Sequence, residues 1–215
     1  MRIFIGADTR QPVAFNVLAH SLYEKASAPI SITKLDIRQI PMITRKGLTD
    51  FTYARYIVPY LCNYEGVALF MDADMLCRCD IHELNLTPDQ FRGGAVGVVN
   101  EIERFEWPSL MLFNNALCKK LTPEYINTGK PQTFEWADKL IAIPKEYNHV
   151  VPYSGTNPDA KIVHYTQGIP IHAETMDCEH GQEWRDTNFA MRDSCGWQEL
   201  MGNSVHAQRM GLCAP

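Results

Sequence analysis

The chain has 215 residues, 46% hydrophobic and 21% charged, a balance that suits one globular domain with a full apolar core and excludes a low-complexity protein. Lys+Arg 20 against Asp+Glu 25 give a formal charge of -5 with no dense basic run, which argues against a nucleic-acid partner. No apolar run approaches the roughly 18 residues of a membrane span, and Met1-Arg-Ile-Phe-Ile-Gly enters a strand without the apolar core of a signal peptide, so a cytoplasmic location is expected.

Arg2–Ala7 reads as a first strand that stops at Asp8. Pro12 suits a first helical turn, and Phe15, Leu18, Ala19 and Leu22 follow helical spacing, so residues 12–25 are expected to be an amphipathic helix. Ile30–Ile37 alternates as a second strand, completing a right-handed parallel βαβ unit. Residues 38–50 read as loop. Phe51–Cys62 is an apolar helix, kinked or divided at Pro59, with the one charge of Arg55 at its centre. An arginine in such surroundings wants a carboxylate or phosphate partner, unless it snorkels to solvent.

Val67-Ala-Leu-Phe-Met71 reads as a strand buried on both faces and runs into Asp72-Ala-Asp74. Residues two apart in extended chain point the same way, so both carboxylates can converge beyond the carboxyl end of the strand, where open α/β sheets bind ligands. A hard divalent cation such as Mn²⁺ or Mg²⁺ would satisfy them; a solvated turn bearing two acids is the plain alternative. Asp8 falls on the same rim, as a ligand group or an ordinary helix cap.

Further along, Asp80–Leu84 suggests a single helical turn, Ala95–Val99 and Ser109–Phe113 two more strands, and residues 116–140 helix in pieces. Ile141–Ile143 and Glu146–His149 connect without a readable type. Lys161–His164 is a short strand ending in a histidine, and residues 181–210 suggest one or two surface helices closing the domain. Seven cysteines, an odd number without scaffold spacing, point to reduced thiols; Cys77-Arg-Cys79 lacks the second ligand pair of a zinc site.

Taken together, Ile3-Phe-Ile-Gly-Ala-Asp8, Thr52-Tyr-Ala-Arg55-Tyr, Leu69-Phe-Met-Asp72-Ala-Asp74 and His164-Tyr-Thr-Gln-Gly168 resemble glycosyltransferase family 8, which includes glycogenin and lipooligosaccharide galactosyltransferases. The resemblance spans about residues 2–170. It implies a GT-A fold: an α/β, Rossmann-like, mostly parallel mixed sheet flanked by helices. Residues 1–215 would form one transferase domain, with a core at 1–170 and a C-terminal helical extension at 171–215.

The implied activity is metal-dependent, retaining transfer of a hexose from a UDP-sugar to a glycan, lipid or protein acceptor. Asp72, Asp74 and His164 would hold Mn²⁺, with Mg²⁺ possible. Ala7, Asp8, Thr9, Asp72, Ala73 and Gly168 would bind the nucleotide. Arg55 would face the diphosphate or donor sugar, and Glu135 or Asp138 would stand near the anomeric carbon. Without bound metal, the His164 ring should still lie within roughly 6 Å of an Asp74 carboxylate oxygen. Two rival readings are a non-catalytic nucleotide-sugar or glycan-binding module and an aspartate-based phosphohydrolase. The latter usually has Thr or Val two residues after its acid pair, where this chain has Leu76.

Overall fold

The computed structural model describes residues 1–193 together with 208, 209 and 211. Its first unit is β1 (Arg2–Ala7), α1 (Pro12–Lys25) and β2 (Ser31–Asp36), with the strands parallel as the βαβ pattern requires. Pro12 opens α1, where its missing N–H costs nothing. The buried stripe of α1 is Ala14, Val17, Leu18, Ser21 and Leu22; Phe15 and Ala19 sit at its half-buried edge. Ser21 belongs to that stripe because its Oγ donates to Leu18 O (2.8 Å) and accepts from Cys77 N (3.1 Å).

Phe51–Cys62 is not one helix. A 3-10 turn at Ala54–Ile57 passes into the short α2 (Val58–Leu61), with Pro59 in its first turn. β3 (Val67–Met71) follows, then, across the Asp72–Asp74 turn, β4 (Met75–Cys77). The remaining elements are β5 (Val96–Val98), β6 (Leu110–Asn114), α3 (Pro123–Thr128), β7 (Leu140–Ala142), β8 (His149–Val150), β9 (Ile162–His164) and α4 (Gly181–Asp193). Expectations for residues beyond α4, including the apolar marks at Trp197, Leu200 and Val205, lie outside the described residues.

The large sheet has the order β2-β1-β3-β6-β5-β7, and a small sheet has the order β4-β9-β8. In the large sheet only β6 runs against its neighbours, β3 and β5. Strand alternation divides the core into two. Ile3, Ile5, Leu69, Met71, Leu110 and Leu112 face one layer with α1, while Phe4, Phe70, Met111 and Phe113 face the other with Ala54, Ile57 and Trp136. Trp184 of α4 is fully buried in the first layer, so this helix closes the domain by inserting an aromatic into the core.

The reversal of β6 matters for the rim. β3 ends where β6 begins, with Met71 opposite Leu110, and Asp72 N donates to Ser109 O at 2.9 Å. The 3-10 turn Arg104–Ser109 is thereby brought beside the acidic pair.

Candidate metal and nucleotide site

Asp72 leaves β3 at the carboxyl rim of the large sheet, and Asp74 immediately precedes β4. β4 pairs antiparallel with β9 and sets Met75 opposite His164, while Tyr165 N donates to Asp74 O at 2.9 Å. These bonds bring the last residue of β9 to the acidic turn. His164 Nε2 is 3.4 Å from Asp74 Oδ1, well inside the separation expected without metal. One ligand atom from each of Asp72, Asp74 and His164 fits within 4.8 Å of the others.

Arg55 is held over this turn. Its guanidinium carbon lies 5.3 Å from the ring centroids of Phe51 and Phe70, and its Nη2 lies 3.2 Å from Asp72 Oδ1. Both side chains are 11% exposed, so the arginine has the carboxylate partner its apolar setting requires. Burial nevertheless pushes the Asp72 carboxyl up to about 7, against the pull of Arg55 and with the push of Asp74. For His164, burial works to lower the pKa, but Asp74, Asp72 and Glu106 raise it overall. Asp72 Oδ1 and Asp74 Oδ1 are buried and accept no hydrogen bond, Asp72 Oδ1 having only its ion pair with Arg55, and two such carboxylates beside the Nε2 of His164 fit a divalent cation.

These groups line a cleft of about 410 Å³ together with Arg55, Tyr53, Phe105, Glu106, Gln132 and Thr166. A contiguous cavity of about 240 Å³ shares Asp74 and Thr166 and is lined by Asp8, Arg10, Ala73 and Gly168. Asp8 accepts from Arg10 N, Nε and Nη2 at 2.6–2.9 Å, and the Arg10 guanidinium holds its carboxyl down to about 2. Gly168 has φ +119°, a backbone conformation open to glycine; the nearest atom to an added Cβ is Thr175 Cγ2 at 3.8 Å, so the constraint is conformational rather than spatial. Ala7 is buried in β1, and Thr9 is engaged with Asp50 Oδ2 through its backbone N–H and its hydroxyl. They flank the cavity without lining it.

Glu135 and Asp138, expected near the anomeric carbon, do not line this cleft. Buried Phe134 and Trp136 anchor their stretch in the core and turn Glu135 outward, and Asp138, 89% exposed, pairs with Lys120. Gln132, one short turn earlier, reaches the cleft instead. Sequence reasoning missed Glu106, which is 5% exposed and accepts from Thr166 Oγ1 at 2.7 Å. Its signal was the one that marked Arg55: a charge between bulky apolar residues, here Phe105 and Trp107.

No protein-family model matches the chain. Over 220 aligned residues it is 31% identical to Protein CDI of Arabidopsis thaliana, covering 85% of this chain and 84% of that protein. The chain belongs to the Protein CDI family. Among solved structures, this member of the Protein CDI family resembles the galactosyltransferase LgtC in complex with donor and acceptor sugar analogs, with TM-score 0.60 and 12% identity over 88% of this chain and 96% of that one. The glycosyltransferase GlyE of Streptococcus pneumoniae TIGR4 aligns at TM-score 0.62 and 15% identity over 100% of this chain and 64% of that one. The fold is GT-A, as expected from the motifs, and among the described residues no helix is long and apolar enough to cross a membrane.

Proposed function

We propose that this protein is a metal-dependent, retaining glycosyltransferase that moves a hexose from a UDP-sugar to an acceptor. The observation that carries this reading is the convergence of Asp72, Asp74 and His164 at the carboxyl rim of a GT-A sheet, where Asp72 Oδ1 and Asp74 Oδ1 are buried without a hydrogen bond. Those three residues would hold Mn²⁺, with Mg²⁺ as the alternative. When bound, the ion supplies positive charge that stabilises the departing diphosphate.

The other roles belong to the chain. Arg55 presents a fixed cation to the same cleft, aimed at charge that grows as the bond from the anomeric carbon to the phosphate oxygen breaks. Asp8, kept ionised by Arg10, offers a carboxylate to nucleoside N–H or hydroxyl donors. Ala73 and the Gly168 backbone border the phosphates, and Ala7 and Thr9 shape the edge of the nucleoside pocket. The acceptor enters through an adjoining cavity of about 730 Å³ that meets the cleft at Glu106 and bears Glu101, Glu146, Tyr153 and Asn157 on its walls. Residues 1–215 would act as one transferase domain, and among the described residues of the extension from residue 171, Trp184 packs into the core shared with residues 1–170.

Thermal unfolding with UDP-, GDP- and CMP-sugars, with and without Mn²⁺, tests the reading, because a ligand bound only by the folded state raises the melting temperature. A UDP-sugar with Mn²⁺ should stabilise the protein and release UDP once an acceptor is supplied. Stabilisation without any UDP release would mark a binding module, and no response to any sugar nucleotide would remove the proposal.

A further inference from the structure

A second group of ligand-type side chains shares no residue with the acidic turn, and its His149 lines the cavity of about 730 Å³. His149 opens β8, while Glu179 and His180 come from the turn that leads into α4. One ligand atom from each lies within 4.8 Å of the others. His149 Nε2 is 2.7 Å from Glu179 Oε2, and His180 Nε2 is 3.7 Å from Glu179 Oε1. Ligands held about 2.0–2.2 Å from a tetrahedral ion stand roughly 3.3–3.6 Å apart, so shifts of under about 1 Å would seat one here.

The surroundings are those of a held ligand set. The His149 side chain is 2% exposed and that of His180 10%. Asn157 N donates to Glu179 Oε1 at 2.7 Å, which fixes the carboxylate. His180 Nδ1 lies 3.6 Å from Glu183 Oε2, the position of a carboxylate that orients a ligating imidazole from behind. His180 Nε2 faces Asn157 O at 3.0 Å and donates its proton there in the absence of an ion. Ion binding needs the other tautomer, whose proton on Nδ1 faces Glu183. Two imidazoles and one carboxylate suit zinc, whereas the two carboxylates and one imidazole of the first site suit a harder cation.

We propose that His149, Glu179 and His180 form a zinc site, separate from Asp72, Asp74 and His164, that clips the start of α4 to β8. It depends in no way on the glycosyltransferase reading. Ligands 30 residues apart in the chain, His149 and Glu179, would be joined by one ion, and the buried anchor Trp184 follows at once in α4.

The test uses the full chain carrying Asp72→Asn and Asp74→Asn, so that the acidic turn no longer competes for metal. After removal of metal with EDTA and exchange into chelator-free buffer, ZnCl₂ is titrated by calorimetry and thermal unfolding. One equivalent should bind and raise the melting temperature. Adding His180→Ala, or separately Glu179→Gln, should weaken zinc binding by at least about 100-fold in a protein that circular dichroism shows to be folded without zinc. No stoichiometric zinc on the parent would overturn the proposal. So would zinc binding that survives both substitutions, since other side chains would then be its ligands.

Discussion

Glu106 stands behind His164: its Oε2 lies 3.6 Å from Nδ1, the ring nitrogen opposite the one that faces Asp74. The other oxygen of Glu106 is held by Thr166 at 2.7 Å. The imidazole is thus flanked by carboxylates, one able to share an ion with it and one able to fix its tautomer and ring orientation.

Glu106→Gln is therefore expected to weaken Mn²⁺ binding by about 10–100-fold, the usual cost of losing a carboxylate behind a ligating histidine. Manganese titration followed by water-proton relaxation checks this. Unchanged affinity would reduce Glu106 to a packing partner of Thr166.

Arg55→Ala should lower kcat by about 10²–10³, the effect of removing one charged or hydrogen-bonding group aimed at developing negative charge. The variant's far-ultraviolet spectrum and the activity of its folded fraction are measured together. An early-melting variant whose folded fraction is fully active would show that Arg55 serves only to pair with Asp72.

UDP is expected to bind weakly without divalent metal. Arg55 is the one cationic side chain lining the main cleft among the described residues, and its partner Asp72 already offsets it. Calorimetry in EDTA and in Mn²⁺ compares the two states, and equal affinities would contradict the expectation.

Asp36 accepts from Arg38 Nε at 2.8 Å, and the bond to that guanidinium holds its carboxyl down to about 2. A carboxyl with a lowered folded-state pKa contributes stability above its unfolded value, and that contribution is lost as pH falls through the folded value. Asp36→Asn should therefore be less stable than the parent at pH 5 and above, with the gap closing between about pH 4 and pH 2. Urea midpoints at several pH values provide the measurement.

Much of this was legible from residue types. β1, α1 and β3 each carry a long enough pattern to declare themselves, and Asp72, just past β3, and His164, at the end of β9, stand where an open sheet leaves room for ligands, with Asp74 just ahead of β4. What could not be read has identifiable causes. β7 and β8 are three and two residues long, too short to express a period of two. The apolar run of β6 looks the same in either direction, so its reversal, and with it the arrival of Glu106 at the rim, depended on pairing across the sheet. The stripe of α1 slipped by a position because Ser21, polar by type, is buried by its bond to Cys77 N. Glu135 and Asp138 were placed by order along the chain, but Phe134 and Trp136 decide which way that stretch faces.

The three candidate metal-binding arms do not share one scaffold. Asp72 hangs from the large sheet, whereas Asp74 and His164 are locked to each other by the ladder of the small one. A shift of one sheet against the other would leave the Asp74–His164 spacing intact and change the Asp72–Asp74 spacing only by the give of the single residue Ala73 between them. An ion grasped by all three arms would rivet the sheets together, so the cleft would be stiffest when it is loaded.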